Sequence, residues 1–333
     1  MRYIIIGAGA VGGAIGGRLF EGGREVVLVA RGAHYRALAE KGLTLATPEG
    51  TVVLPVPAAD RPEAVQLRPD DVLVLAVKSQ DTRAALDAWA DRPVAGGGTA
   101  AELLPLVCAQ NAVENERLAL RRFRRVYGMC VWLPSMHLEP GVIGAEGTPL
   151  TGILHLGRYP HGADDTARRI AADLEACTLM APVSEDVMRW KYGKLISNLS
   201  NALEALTGPI ESAQALELHH ATMAEGIRVL DAAGIGHAGD QERAEVIGDR
   251  MRMRPVAGMK RGGGSSWQSL VRGTGSIEAD YLNGEIVLLG RLHGLATPAN
   301  SVLLRLANRA ARLGRGPGST TPAELAALIA KEI

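Results

Sequence analysis

The sequence contains little that points to metal, disulfide or polyanion chemistry. Its three cysteines lie far apart and include no C-x-x-C pair: Cys108, Cys130 and Cys177. An odd, scattered set argues against a disulfide framework and against a structural zinc site, so no bound metal is expected. Lys and Arg together number 36, as do Asp and Glu, and the formal net charge is zero. Neither nucleic acid nor an anionic membrane is therefore expected as a partner.

Long apolar runs are also missing from this chain. No stretch approaches the roughly 18 consecutive apolar residues that a membrane-spanning helix needs. Met1 leads directly into the first predicted strand, which leaves no room for a signal peptide. We therefore expect a soluble, cytoplasmic protein. At 333 residues with 47% hydrophobic content, the chain is expected to form two globular domains.

Glycine, in contrast, is abundant at 40 residues, and the most informative glycines lie at the start of the chain. A buried strand predicted over residues 3–6 runs straight into the G-x-G-x-x-G sequence Gly7, Ala8, Gly9, Ala10, Val11, Gly12. A helical pattern and a second strand, over 26–30, follow it, and this context is typical of a dinucleotide-binding turn. Gly7 permits the tight turn, Gly9 lets the backbone approach a pyrophosphate, and Gly12 allows the helix to pack closely. The sequence favours a nucleotide-binding turn over an ordinary strand–helix turn.

The end of the second strand indicates which dinucleotide is bound. NAD-preferring sites usually place Asp or Glu there to hold the ribose 2′-hydroxyl. This chain has Ala30, Arg31 and Gly32 instead. A guanidinium can pair with a 2′-phosphate through charge-assisted hydrogen bonds, which an acidic residue would repel. We therefore predict NADPH as cofactor, the alternative being that Arg31 is a solvated strand-end residue.

The hydrophobic pattern changes character near residue 181. Before it, apolar runs typical of buried parallel strands, over 72–77, 101–109, 126–133 and 152–157, alternate with helical segments. After it the period is helical, with predicted helices from 184 onward and over 213–233, 240–253, 276–293 and 298–313. We predict a doubly wound parallel sheet of the Rossmann type over residues 1–181, followed by an all-helical domain over 182–333.

Polar side chains follow two of the predicted strands. Lysine is scarce, at six residues against thirty arginines, yet Lys78 stands directly after the strand over 72–77. Asn111 follows the next strand-like segment. The carboxyl ends of parallel strands line the ligand crevice of such a sheet. We therefore expect both side chains to lie beside the cofactor.

The first helix of the second half carries a polar face. Lys194, Asn198 and Asn201 are spaced i, i+4, i+7 and so project from one side. An apolar stripe lies opposite, and Trp190 extends the polar face by one turn; the stripe is Leu195, Leu199, Leu203 and Leu206. A solvated face usually carries mixed Glu, Lys and Arg, so a cleft-facing stripe is favoured over the solvated alternative. By spacing alone, Glu278 and Asp280 indicate only favourable charges in a first helical turn.

These motifs together resemble the ketopantoate reductase family. The likeness runs the length of the chain in one order: the glycine turn, Val77-Lys78, Gln110-Asn111, Lys194-Leu195-Ile196-Ser197-Asn198 and Glu278-Ala279-Asp280-Tyr281-Leu282-Asn283-Gly284. The resemblance implies NADPH-dependent reduction of a small 2-oxo acid to a 2-hydroxy acid, with ketopantoate becoming pantoate in pantothenate and coenzyme A biosynthesis. It implies that Lys194 and Glu278 are catalytic. It further implies that Asn198, Asn201, Ser266 and Asn111 bind substrate, and that Lys78 and Asn111 line the nicotinamide end.

The chain departs from the family pattern on the substrate side. The position of a second family asparagine is Ala202, with Leu203 where a proline is usual. A loop that is richer in polar residues in the family is Gly262-Gly263-Gly264, and Trp267 follows Ser266. A reductase of another oxo acid therefore stays open, as does a nucleotide-sensing protein without turnover. The oligomeric state is also open, a homodimer being one option.

Overall fold

The computed structural model describes residues 1–259 and 262–332. Its strands are, in chain order, β1 Arg2–Ile6, β2 Glu25–Val29, β3 Leu43–Thr47, β4 Gly50–Leu54, β5 Ala58–Ala59, β6 Asp71–Leu75, β7 Pro105–Cys108, β8 Arg125–Trp132, β9 Ser135–Met136, β10 Val142–Ala145, β11 Gly147–Pro149, β12 Gly152–Arg158, β13 Leu179–Met180 and β14 Met251–Met253.

Its α-helices are α1 Ala10–Glu21, α2 Gly32–Lys41, α3 Thr82–Ala90, α4 Ala100–Leu103, α5 Asn115–Leu120, α6 Asp165–Glu175, α7 Val187–Asn198, α8 Ser200–Thr207, α9 Ala213–Ala232, α10 Asp240–Ile247, α11 Ser265–Val271, α12 Asn283–Leu292, α13 Pro298–Arg312 and α14 Pro322–Ile329. Short 3-10 segments cover Pro62–Ala64, Ser79–Asp81 and Glu278–Tyr281.

The chain forms two compact units. Unit 1 comprises Met1–Lys191 and Gly239–Arg261, and unit 2 comprises Tyr192–Ala238 and Gly262–Ile333. Helix α7 therefore begins in unit 1 and ends in unit 2. A domain boundary after residue 181 stays a prediction.

Unit 1 is built around a large sheet. Among the described residues it has eight strands in the order β13-β12-β8-β7-β6-β1-β2-β5. Strand β1 lies between β2 and β6 in parallel register, with Ile5 beside Leu28 and Val74. The predicted α/β fold with a parallel sheet is confirmed, with one difference: β12 runs antiparallel to β8, and Leu154 pairs with Val131.

The apolar runs of these strands arise because both faces of the sheet are covered. One buried cluster contains Ile5 and Leu28 and lies against α1 and α6, and the other contains Ile4 and Leu73 and lies against α3 and α5. A smaller sheet, β4-β3-β10-β9, packs on α1. At the amino ends of β1 and β6, Arg2 makes a buried two-bond ion pair with Asp71, each N–O distance being 2.7 Å.

Close packing explains the first glycines. Gly7 has φ +100°, and a Cβ there would lie 2.8 Å from the Val77 backbone nitrogen. A Cβ at Gly12 would lie 2.1 Å from the Gly7 carbonyl oxygen and 2.9 Å from the side chain of Ile5. No larger residue fits between helix α1 and strand β1 at this turn.

Unit 2 is helical, as predicted. The leucine stripe is buried: Leu195, Leu199, Leu203 and Leu206 are each at most 1% exposed. The predicted single long helix is wrong, because α7 ends at Asn198 and α8 starts at Ser200. At the break, the Leu199 amide bonds to the Ile196 carbonyl at 3.2 Å, and the Asn283 side chain donates to the Leu199 carbonyl at 2.9 Å.

Three other predicted elements differ from the structure. Residues 101–103 of the segment predicted as strand belong instead to α4, which is held by a capping box between Thr99 and Glu102. The helix predicted over 240–253 ends at Gly248, whose φ is +43°, and β14 follows, paired with β11. The helix predicted over 276–293 begins at Asn283, after the 3-10 segment.

Among the helices that the structure describes, none is long and apolar enough to cross a membrane. Within the same residues, no group of three or more His, Cys, Asp or Glu side chains could hold a metal ion.

We predict that Gly12→Ala lowers the free energy of unfolding by about 1–3 kcal/mol, because the new methyl overlaps the Gly7 carbonyl and the β1 core. Urea unfolding followed by circular dichroism would measure this change. Gly236→Ala is the matched control, since nothing lies within 4 Å of a Cβ there. A Gly12→Ala midpoint equal to that of the control would contradict the packing argument.

The free energy of unfolding should depend on pH because of His155, a buried residue of β12. The residue is 2% exposed, its ring stacks on Trp190 at 3.8 Å between centroids, and neither ring nitrogen has a hydrogen-bond partner in the part of the chain that the structure describes. Trp190 is therefore a packing residue of unit 1 and not an extension of a polar helix face. Burial lowers the pKa of His155 to about 4, opposed only by the charge of Glu242.

Between the ordinary His pKa of about 6.5 and the lowered value, the unfolded chain binds a proton that the folded chain does not. His155 should therefore remove about 2 kcal/mol of unfolding free energy as the pH falls from 7 to 5. His155→Phe keeps the ring but cannot take the proton, so its loss over that range should be smaller by this amount. Urea titrations of both proteins at pH 7 and 5 test this, and equal losses would show that His155 is not responsible.

Candidate active site

The glycine turn of unit 1 forms an open amide-lined surface. The Gly7 and Ala8 amides both donate to the Val29 carbonyl at 3.1 Å, which fixes the turn to the end of β2. Helix α1 starts directly after Gly9. The first amides of a helix have no partner within it and carry its positive dipole end, so they suit a phosphate.

The space around Gly9 decides whether a dinucleotide could approach the backbone of this turn. The nearest atom to a Cβ placed there is Nδ1 of His137, at 3.9 Å. Space is therefore open on the side from which a pyrophosphate would approach the backbone, whereas Gly7 and Gly12 are packed. This is the pattern that a dinucleotide needs.

Arg31 caps the start of α2, directly beyond β2. It is exposed, and the first turn of α2 contains no acidic residue. A guanidinium and a helix N-terminus thus meet at one place without a competing carboxylate in that turn. This arrangement suits an anionic group such as a ribose 2′-phosphate.

His34 is a residue of this region that sequence reasoning missed. Its Nε2 lies 2.7 Å from the Ala8 carbonyl, and the Gly141 amide donates to its Nδ1 at 2.9 Å. The ring therefore bridges the glycine turn and the loop before β10. Burial lowers the pKa of His34, so the neutral form that makes both bonds is favoured. In the sequence, the signal that could have pointed to His34 is its position three residues after Arg31, near the predicted cofactor site.

The loops that carry Lys78 and Asn111 are fastened together at the carboxyl ends of β6 and β7. Gln110 donates to the Val77 carbonyl at 2.9 Å. The Asn115 amide donates to the Asn111 carbonyl at 2.8 Å and to the Ser79 hydroxyl at 3.2 Å. Lys78 and Asn111 are both half-buried. The structure thus places these two predicted residues at neighbouring strand ends, as the sequence predicts.

Lys194 and Asn198 lie one turn apart on α7, within unit 2. Both are half-buried. The amide nitrogen of Asn198 is shielded from solvent and has no hydrogen-bond partner among the described residues. A buried unpaired donor is costly, which makes it a site where a ligand oxygen would be accommodated.

Asn201 lies on α8 and contacts the first turn of α11, which carries Ser266. Its side chain donates to the Ser265 hydroxyl at 3.3 Å, and Ser266 itself is 2% exposed. Nearby, the Gly264 amide donates to Glu204 at 2.7 Å. The structure therefore brings Asn201 to the serine loop but on a different helix from Lys194 and Asn198.

Glu278 opens the 3-10 segment and is 3% exposed. Arg272, at the end of α11, is a neighbouring charge that sequence reasoning missed. Burial lowers the pKa of Arg272, and the Glu278 charge opposes that effect. A buried carboxylate and a half-buried guanidinium thus interact within unit 2.

Both halves of the chain match one protein family. Residues 3–161 match the family described as "Ketopantoate reductase PanE/ApbA", and residues 186–311 match "Ketopantoate reductase PanE/ApbA C terminal". The 2-dehydropantoate 2-reductase of Mesorhizobium japonicum is 30% identical, covering 93% of this chain and 98% of that protein. The enzyme of the same name from Pyrococcus horikoshii is 26% identical, covering 95% and 99%.

Solved structures give the same result. A PanE/ApbA family ketopantoate reductase from Ralstonia eutropha has a TM-score of 0.76 at 29% identity, covering 95% of this chain and all of that one. D-mandelate dehydrogenase, solved with NADH and anilino(oxo)acetate, has a TM-score of 0.78 at 21% identity, covering 94% and 99%, and shows a shared fold. The chain therefore belongs to the ketopantoate reductase PanE/ApbA family of oxidoreductases.

Proposed function

We propose that this protein is an NADPH-dependent reductase that converts 2-dehydropantoate (ketopantoate) to pantoate. The observation that carries the proposal is Lys194 on α7, followed one turn later by Asn198, whose shielded amide nitrogen has no hydrogen-bond partner among the described residues. An ammonium group and an amide donor on one helix match the needs of a carbonyl substrate whose oxygen gains negative charge. The chain's place in the reductase family supports the same conclusion.

The residues of unit 1 would hold the cofactor. The turn from Gly7 to Gly12 would present the first amides of α1 to the pyrophosphate, and Arg31 at the start of α2 would pair with the ribose 2′-phosphate. Lys78 and Asn111 would line the nicotinamide end. The bound nicotinamide supplies a hydride to the substrate carbonyl carbon.

Lys194 would act as the general acid. As the carbonyl carbon becomes tetrahedral, negative charge develops on its oxygen, and the ammonium group stabilises that charge and then donates a proton to the oxygen. An arginine could stabilise the charge but would not readily release a proton. Glu278 would keep the lysine or a substrate hydroxyl in place, while Asn198, Asn201, Asn111 and Ser266 orient the substrate with neutral donors.

A second candidate is reduction of a different, more apolar 2-oxo acid. The indole of Trp267 lies directly over the glycine loop, since a Cβ at Gly262 would be 2.0 Å from its Cζ2 atom. An apolar ring thus covers Gly262 and Gly263, in a segment where the family pattern is more polar. A panel of 2-oxo acids, each followed by loss of NADPH absorbance, distinguishes the two candidates.

We predict that Lys194→Ala lowers kcat by about 10²–10⁴-fold, because the proton donor is lost. Lys194→Arg keeps the positive charge and should still lie well below the native rate. The measurement is NADPH oxidation at saturating 2-oxo acid. Lys331→Ala, at an exposed lysine, is the control and should retain the native rate. A native rate for Lys194→Ala would refute the catalytic assignment.

We further predict that Arg31→Ala raises the KM for NADPH about 10–100-fold, the value of a lost charge-assisted hydrogen bond. The KM for NADH should change less than about twofold, because NADH has no 2′-phosphate for the guanidinium to bind. Arg36→Ala, an exposed arginine further along α2, is the matched control. Equal losses with the two cofactors would show that Arg31 does not bind the 2′-phosphate.

A further inference from the structure

A buried ion pair joins the start of α7 to α5 inside unit 1. The Lys191 ammonium contacts the Glu116 carboxylate, and their side chains are 2% and 0% exposed. Lys191 also donates to the Gln110 carbonyl at 3.1 Å. One ammonium group therefore ties the helix to two other segments, at the end of β7 and in α5.

Stability alone does not account for this pair. Removing two charges from water costs several kcal/mol per ion, and well-packed apolar residues often serve as well or better. The second carboxylate oxygen of Glu116 has no hydrogen-bond partner among the described residues, so the desolvation is not fully compensated. Burial accordingly raises the pKa of Glu116, with the Lys191 charge acting in the opposite direction. What an ion pair provides and an apolar contact does not is a fixed direction and distance.

The pair is one end of a hydrogen-bonded chain that reaches both strand-end loops. The Gln110 side chain donates to Thr82 at 2.8 Å, and Thr82 donates to Asn115 at 2.7 Å. Asn115 in turn holds the Asn111 carbonyl and Ser79. Gln110 and Asn115, which hold the loops of Lys78 and Asn111, therefore belong to the same network as Lys191.

Helix α7 continues without interruption from Lys191 to Asn198. Lys194 follows Lys191 by three residues, about 4.5 Å along the helix axis and most of one turn around it. A change in the rotation or axial position of α7 at Lys191 is therefore passed directly to Lys194.

We propose that Lys191 and Glu116 are positioning residues for the catalytic lysine. By fixing the rotation and axial register of α7 at the end of β7, they set the direction in which Lys194 presents its ammonium group. The same ion pair orders the peptide before Asn111. This inference rests on the proposed function of Lys194.

The test replaces the pair by apolar residues of similar size, Lys191→Met with Glu116→Leu, which avoids an unpaired buried charge. The matched control is Arg2→Met with Asp71→Leu, a buried ion pair of the same unit at the opposite ends of the strands. Both double variants should unfold at urea midpoints near each other. We expect kcat to fall about 10–100-fold only in the Lys191/Glu116 variant, the effect of a misplaced catalytic group. The NADPH dissociation constant, from fluorescence titration, should change much less than kcat in both variants, since the amides that would hold the pyrophosphate are untouched and only the peptide before Asn111 is affected.

Glu116→Gln provides a second measurement that does not depend on folding of the double variant. The amide keeps the volume and one hydrogen bond but not the charge pair, and kcat should fall about tenfold with NADPH binding unchanged, as a smaller misplacement requires. Lys191→Arg, which keeps the charge and its donors, should lie closer to the native rate than Glu116→Gln. A native kcat in both the double variant and Glu116→Gln would overturn the inference.

Failure of this inference and failure of the proposed function give different results. All variants are assayed with the 2-oxo acid that the native protein turns over fastest. If Lys194→Ala is inactive while the Lys191/Glu116 variants are fully active, only the positioning role is refuted. If Lys194→Ala keeps the native rate, the catalytic assignment is refuted and the positioning role with it.

Discussion

Three backbone segments approach one another at the carboxyl edge of the main sheet almost without side chains between them. They are the turn at Gly7, the first turn of α1 at Gly12, and the peptide at Val77. A Cβ added at Gly7 would lie 2.8 Å from the Val77 backbone nitrogen, and one added at Gly12 would lie 2.1 Å from the Gly7 carbonyl oxygen. This contact sets how far α1 lies from β1 and how close the Lys78 loop lies to the turn. A dinucleotide laid on the amides of α1 would therefore meet the end of β6 at a distance that the packing has already fixed. A larger residue at Gly7 or Gly12 would disturb the helix layer and the loop together.

Polar groups continue this constraint where backbone packing ends. Beyond β6 and β7 the loops are held by amides and hydroxyls, with Gln110, Thr82 and Asn115 each using more than one hydrogen bond. A buried network in which most polar groups are paired accepts few alternative arrangements, because each change leaves a further buried group unpaired. The network ends at the Lys191 ammonium, so directional bonds within unit 1 hold the first turns of α7. Burial also raises the pKa of the neighbouring Cys108 thiol, which stays protonated and serves as a packing residue.

The sequence predicts what depends on local patterns. Strands buried on both faces leave continuous apolar runs, and a glycine turn between strand and helix is recognisable, so the α/β fold and the cofactor turn follow from residues alone. Strand β12 runs antiparallel, and residues 251–253 form a strand rather than helix, because each pairs with a distant segment. The same holds for the site: Lys78 and Lys194 stand in readable motifs, whereas Glu116 and Lys191 are 75 residues apart and meet only in the fold. The break at Leu199, held by Asn283, likewise depends on a partner 84 residues away.

The substrate side of the chain differs from the family in a coupled way. Trp267 could not occupy its place if its loop carried ordinary side chains, since a Cβ at Gly263 would lie 2.6 Å from the indole Cγ and one at Gly262 closer still. The glycine run and the tryptophan are therefore one change, in which polar loop side chains are exchanged for an aromatic surface. Under the proposed function, Lys194 and Glu278 perform the reaction, and both are present in this chain. Trp267 and the glycines before it would instead meet the remainder of the substrate, where an indole favours apolar groups. The residues proposed for the reaction and those proposed to select the substrate are therefore separate parts of unit 2.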